Sequence, residues 1–157
     1  MLFSFFFISK TYWCRGEISI SLCYHPTADR LTCALIQARN LIFHKQQSVN
    51  TDTISIDCYA TISLLQRHQL RKKTRTNYHH ATDRNPVFNE MSVFNVSTSD
   101  LPTSYIRIVI YEISTTKKFE IGHCLIGNHD RTQPTSHWQQ MLRVLRRPVI
   151  VWHPLKL

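Results

Sequence analysis

The chain has 157 residues, of which 43% are hydrophobic and 18% charged, with 19 Lys and Arg against 10 Asp and Glu. That length suits one domain with a sizeable core and excludes a two-domain enzyme with a cleft between its halves, while 3 glycines are too few for a dinucleotide-binding loop or a P-loop. The net charge of +9 points to an anionic partner: nucleic acid, an acidic protein surface or an anionic membrane.

The chain opens on the apolar run MLFSFFFI. It is too short for a membrane span, which needs roughly 20 residues. It also lacks the leading basic residue of a secretory signal. Residues 1–15 are therefore read as a segment outside the fold, and residues 16–157 as one domain. From Gly16 the pattern is that of strands. Ile18, Ile20, Leu22 and Tyr24 alternate with Ser19, Ser21 and Cys23, which suits a half-buried strand. The run His25-Pro26-Thr27-Ala28-Asp29 ends it as a turn. Leu31 to Ala38 is a second strand, followed by a long polar loop over residues 43–56. Cys58 to Leu65 reads as a strand, and Leu70 to Thr76 as a basic, extended one. Residues 77–86 read as a loop closed by Asn85-Pro86. Val93, Phe94 and Val96 mark a short strand. Ser104 to Tyr111 is the clearest, rich in β-branched and aromatic residues. Glu120 to Ile126 is the next.

Then the period changes. Trp138, Met141, Leu142 and Leu145 fall at i, i+3, i+4 and i+7, one face of a helix. Thr135 or Ser136 supplies its N-cap and Pro148 stops it. Val149 to Trp152 is a last strand. The fold class is thus all-β: an eight-stranded antiparallel β-sandwich with one helix before the last strand. Trp138 and Trp152 are read as core or helix-docking residues.

No feature points to catalysis. Gly127-Asn128-His129-Asp130 imitates a metallophosphoesterase fragment, but the upstream Asp and His motifs that would hold two metals are missing. Neither G-x-S-x-G nor H-E-x-x-H occurs. No catalytic residue and no small-molecule substrate are expected. Cys14, Cys23, Cys33, Cys58 and Cys124 are odd in number and contain no C-x-x-C pair, so they read as reduced, mostly buried thiols rather than a disulfide or zinc framework.

Arg67, His68, Arg71, Lys72, Lys73 and Arg75 form the densest charge cluster. On an extended strand Arg71, Lys73 and Arg75 share a face, about 7 Å apart, while Lys72 and Thr74 point the other way. Such a strip suits several phosphate groups; its plain alternative is a solubilising edge strand. Tyr78 is the one aromatic nearby in sequence, so nucleic acid would find phosphate contact without base stacking.

Several segments resemble the second C2 domain, C2B, of the synaptotagmin family. They are GEISISLCYHPTADRLTCALIQARNL (16–41), NPVFNEMSVFNV (85–96), EIGHCLIG (120–127), HWQQMLRVLRRP (137–148) and the terminal WHPL (152–155). The resemblance covers roughly residues 16–157 and implies an eight-stranded antiparallel sandwich with its helix before the last strand. It also implies anionic membrane lipids and SNARE proteins as partners, with C2-domain oligomerisation as a further association. The location it implies is peripheral, at the cytoplasmic face of a vesicle or the plasma membrane. By the same resemblance Arg71, Lys72 and Lys73, with Arg67 and Arg75, match a polybasic lipid- and SNARE-binding strand. Arg146 and Arg147 match an arginine pair forming a second basic contact at the far end.

The family is best known for calcium-dependent binding, and here the pattern departs. Calcium takes about six to eight oxygen ligands. One family Asp falls where this chain has Phe43-His44-Lys45. Asp57 matches the next. The last loop keeps only Glu112, with Ser114, Lys117 and Lys118 around it. Asp57 and Glu112 are degenerate calcium-loop positions, and like-charge repulsion from Lys45 and Lys117 opposes a cation. No cofactor is expected, calcium included. The expectation is a calcium-independent lipid- or SNARE-binding module; the alternatives are calcium-dependent phospholipid binding and contact with nucleic-acid phosphate.

Overall fold

Among the described residues the alternation of apolar and polar residues builds nine strands. They are β1 (Glu17–His25), β2 (Arg30–Arg39), β3 (Ile56–Gln66), β4 (Gln69–Arg75), β5 (His79–Ala81), β6 (Val87–Asn95), β7 (Ser104–Ile113), β8 (Lys118–Gly127) and β9 (Val149–Pro154), with helix α1 (His137–Arg143) before the last. The structure, a computed structural model, describes residues 14–44, 54–115, 117–128 and 136–157. The strands form two sheets, ordered β6-β2-β1-β9 and β4-β3-β7-β8, with β5 paired to β3. Every pairing is antiparallel.

The two sheets enclose one core. Ile18, Ile20, Leu22 and Tyr24 of β1 face it, as do Ala60, Ile62 and Leu64 of β3 and Ile106, Ile108 and Ile110 of β7. This is the period-2 pattern of half-buried strands. The Tyr24 hydroxyl donates to Val96 O at 2.8 Å, so this buried polar group is satisfied.

Three elements differ from the sequence reading. The short strand marked by Val93, Phe94 and Val96 is the nine-residue β6, which starts at Val87. The ninth strand, β5, lies inside the stretch read as a loop. β3 runs past the end of β4, and Ile56 to Cys58 would lack a neighbour on that side. Residues 79–81 supply it, with Ile56 opposite Ala81 and Cys58 opposite His79. Two adjacent histidines conceal the alternation that marks a strand. Helix α1 is also shorter than its apolar stripe. Ser136 caps it by accepting the Gln139 N–H at 3.3 Å, and Trp138 and Met141 are buried, but Leu145 is 40% exposed. The chain turns back before Pro148: Arg146 adopts φ 67° and its N–H donates to Tyr24 O at 2.9 Å.

Arg15, on the amino-terminal side of the boundary read from the sequence, hydrogen-bonds into the sandwich. Its N–H reaches Leu155 O at 2.9 Å and its Nε reaches Ile121 O at 3.2 Å. All five cysteines are free and all but Cys14 are buried. Burial pushes the Cys58 and Cys124 thiols up to about 12 and raises Cys33 as well. Such thiols are unreactive at neutral pH.

Candidate functional site

β4 is an edge strand, and its alternation decides which cations face outward. Lys73 and Arg75 lie exposed on the outer face of the β4-β3-β7-β8 sheet, and Arg71, also exposed, sits beside them where the register shifts between the Leu64–Lys72 and Leu65–Leu70 pairs. Thr74 turns inward, its hydroxyl 2.5 Å from that of Ser92 on the other sheet. Lys72 follows Thr74. Its ammonium donates to Val93 O at 2.9 Å and stands 5.8 Å from the Phe94 ring. Lys72 is therefore a clasp between the sheets and is not part of the outward row. Arg67 also leaves the row, for it sits in the two-residue turn between β3 and β4.

Pairing across the sheet widens the strip. Lys73 lies opposite Ser63, and Ser63 opposite Arg107 of β7. That places Arg107 two strands from Lys73, about 10 Å away. Arg75 lies opposite Thr61, and its guanidinium is stacked over two rings, 4.2 Å from the centroid of Tyr59 and 4.5 Å from that of Tyr78. Tyr59 in turn stacks on Tyr111 at 5.1 Å, and the Lys118 ammonium stands 4.6 Å from the Tyr111 ring. The result is a ladder, Tyr78–Arg75–Tyr59–Tyr111–Lys118, across the sheet.

This corrects the expectation that Tyr78 is the one aromatic near the strip. Tyr59 and Tyr111 come from strands remote in sequence but directly opposite in register. Tyr59 is 5% exposed, with Arg75 and Tyr111 against its ring, so it holds Arg75 rather than offering a free face to a base. A guanidinium lying against two rings keeps its N–H edge directed outward, in the fork geometry that matches phosphate oxygens. Among the described residues the ion pairs include Arg39–Glu17, His79–Glu90, His80–Asp57 and His123–Glu120. Arg71, Lys73 and Arg75 have no carboxylate partner in that set.

The two carboxylates at the degenerate calcium positions are engaged differently. Glu112 is 1% exposed and accepts the His44 N–H at 2.6 Å. The His44 ring stacks on Phe119 at 4.1 Å. Asp57 faces His80, 2.8 Å from Nδ1. Ser114 N–H donates to Lys117 O at 2.9 Å, closing the β7–β8 turn. Lys45, expected to oppose a cation here, lies outside the described residues. Among the described residues these two carboxylates, one of them turned inward onto a backbone N–H, fall short of the roughly six to eight oxygens that calcium takes. Among the described residues, no group of three or more His, Cys, Asp or Glu side chains is placed to hold a metal ion.

At the far end of the sandwich Arg146 and Arg147 are exposed just beyond α1. Beneath them α1 meets β9 through a pair of histidines. His137 Nε2–H donates to Val149 O at 2.7 Å, which leaves Nδ1 to accept from His153 Nε2–H at 2.7 Å. Burial pulls both rings down, and the His137 neighbour adds to it, so that His153 falls to about 4. Trp138 is fully buried, as expected, whereas Trp152 is half-buried beneath the Arg39 guanidinium at 3.9 Å.

Comparison with known proteins agrees with this architecture. Residues 29–141 match the family model described as the C2 domain. Over 144 residues the chain is 39% identical to Synaptotagmin-12 of Rattus norvegicus, covering 90% of this chain and 32% of that protein. It is 36% identical over 141 residues to Synaptotagmin-9 of Homo sapiens, covering 89% of this chain and 27% of that one. The chain thus spans about a third of the length of the curated relatives it matches. Within the family, HWQQML followed by LRRPV and WH resembles synaptotagmin twelve. Among solved structures, a RIM C2 domain from Drosophila superposes with a TM-score of 0.68 at 17% identity, covering 91% of this chain and 99% of that one. That likeness speaks to the fold alone.

Proposed function

The chain belongs to the C2 domain family, and from that premise we propose that it docks on anionic phospholipid membranes without calcium. C2 domains of the synaptotagmin and RIM type are membrane- or protein-binding modules without catalytic function. The docking face here is the outer face of the β4-β3-β7-β8 sheet, with Arg71, Lys73 and Arg75 as its centre and Arg107 and Lys118 on its flank. One observation carries the reading: Arg75 is stacked against Tyr59 and Tyr78 beside two further cations that have no carboxylate partner among the described residues. Cations left unpaired on a rigid sheet favour a partner with several phosphates, such as a phosphoinositide-bearing or phosphatidylserine-bearing leaflet.

The donor set around Asp57 and Glu112 supports independence from calcium. The magnitude supports a reversible, peripheral attachment, which the family resemblance would put at the cytoplasmic face of a vesicle or the plasma membrane. Each basic residue near an anionic leaflet contributes about 1 kcal/mol, so Arg71, Lys73 and Arg75 contribute about 3 kcal/mol together. Binding of that strength is reversible and gains from a tether that raises effective concentration. Among the described residues no helix is long and apolar enough to cross a membrane. The same row of cations would meet an acidic SNARE surface by the same chemistry. Nucleic acid is disfavoured, because Tyr59 is covered and only Tyr78, 58% exposed, has a ring open for stacking.

Co-sedimentation with liposomes, with and without phosphoinositide, in calcium and in chelator, tests the proposal. Equal binding in both buffers is expected. Binding that appears only with calcium overturns the calcium independence. Parallel titrations with an acidic SNARE peptide and with single-stranded nucleic acid rank the three partner classes.

A further inference from the structure

The turn between β3 and β4 consists of two residues, Arg67 and His68. Both stand in the left-handed region, at φ 49° and φ 64°. Two-residue hairpin turns of this kind favour Asn-Gly, because larger side chains are crowded there. An Arg-His pair is therefore strained, and strain of this sort gathers at functional sites. The Arg67 N–H donates to Thr103 O at 3.0 Å, which seats the turn against the segment that enters β7. A cavity of about 610 Å3 opens between them, lined by Arg67, His68, residues 102–105, Leu125 and Asn128. That size falls within the usual range of small-ligand sites.

The walls are made for a body with an apolar surface. Pro102, the Tyr105 ring and Leu125 supply carbon, and Leu125 is 46% exposed. One of the 3 glycines in the chain serves this wall. A Cβ at Gly127 would stand 2.5 Å from the Tyr105 Cβ, so only glycine leaves Tyr105 where it is. The Tyr105 ring lies 6.1 Å from that of His68.

The polar groups define the head of the ligand. Among the described residues lining it, Arg67 carries the one permanent positive charge, with His68 beside it. The Asn128 carbonyl accepts from Gln139 Nε2 at 2.6 Å, which leaves the Asn128 NH2 group as a donor. The Thr103 and Ser104 hydroxyls both donate to Asp100 O, at 3.1 Å and 2.7 Å, so they offer only lone pairs. A polyphosphate would meet acceptors and too little charge. A single carboxylate on an aromatic or alkyl body meets a guanidinium fork, an amide donor and an apolar wall.

We propose that this cavity binds an amphipathic monocarboxylate through Arg67, either a free small acid or the carboxyl end of a peptide. The site is separate from the cationic row on the sheet and does not depend on it. The probes are N-acetylphenylalanine, its uncharged amide, and a pentapeptide ending in Phe. Each is titrated into the full chain in chelator and followed by amide chemical shifts at Arg67, Leu125 and Asn128. The acid is expected to shift all three and saturate, with the amide at least about tenfold weaker. The variant Arg67→Asn/His68→Gly relaxes the turn, so its melting temperature should rise while acid binding falls by about tenfold or more. Gain of stability with loss of binding separates a ligand role from a folding role. Tighter binding of the peptide assigns the source to a chain end; equal binding assigns it to a free acid. Both support the site. Equal affinity for acid and amide, binding unchanged in the turn variant, or no shifts at these residues would each overturn it. Replacing Arg71, Lys73 and Arg75 by Ala should remove liposome binding and leave the acid site intact, so the two readings fail separately.

Discussion

The two sheets of the sandwich share one core and present opposite outer faces. The β4-β3-β7-β8 sheet shows Arg71, Lys73, Arg75, Arg107 and Lys118 to solvent. The β6-β2-β1-β9 sheet shows a largely uncharged middle: Met91 lies opposite Ala34, Ala34 opposite Ser21, and Ser21 opposite Ile150. Its charges lie toward its ends, in the Glu17–Arg39 pair and at Arg30. Net charge alone would spread an anionic partner over the whole molecule. The asymmetry gives the protein a front and a back, and it places the long-range attraction on the front.

The sharpest way to break this contrast is to neutralise the front. Arg71→Ala/Lys73→Ala/Arg75→Ala should weaken binding to phosphoinositide liposomes by about a hundredfold, from about 1 kcal/mol per cation. Ile150→Ser on the back should leave co-sedimentation unchanged. Unchanged binding in the triple variant would remove the site assignment.

Acid probes the back. The neutral His137–His153 pair ties α1 to β9, the edge strand of that sheet. Both rings have folded values below 6.5, so protonation favours the unfolded chain. The stability from the neutral pair is complete above pH 6.5 and lost as pH falls toward about 4, a decrease of about 3 kcal/mol. Thermal unfolding followed across that window should show His153→Phe to be flatter than the parent. Parallel curves would mean that carboxylates alone carry the acid sensitivity.

Gly127→Ala tests the front sheet's packing rather than its charge. The new Cβ would meet Tyr105 at 2.5 Å, and overpacking of this kind costs about 1–3 kcal/mol; urea midpoints read it directly. The smallest effect is expected at Tyr78→Ala, which strips one ring from Arg75. Losing an exposed cation–π contact of about 0.5–1 kcal/mol should weaken liposome affinity about threefold, with little change in stability. A loss as large as that of the triple variant would mean that Tyr78 inserts into the membrane itself.

The main strands were legible because a half-buried strand must alternate. β1, β7 and β4 could be drawn from Ile18 to Tyr24, from Ser104 to Tyr111 and from the run Arg71 to Arg75. β5 was not, because three residues with two histidines carry no alternation and exist as a strand only through the unpaired end of β3. The outward row was legible within β4 for the same reason of period. Arg107 and Lys118 were not, since nothing in the order of residues says that β7 lies beside β3 and β8 beyond it.

The sequence by itself determined the residue types that the chemistry needs: a cationic run, few loop carboxylates, and apolar periods that form a sandwich. It also settled that Lys73 and Arg75 share a face, because that depends only on local backbone geometry, whereas Arg71 falls where the register with β3 shifts. Tertiary structure alone decided that Lys72 bonds Val93 instead of joining them. It decided that Tyr59 and Tyr111 brace the row, and that Glu112 turns inward onto His44. Each of those outcomes depends on register and on which strands become neighbours. Those are set by closing the two sheets over one core, a contact between residues far apart in the chain that no local pattern encodes.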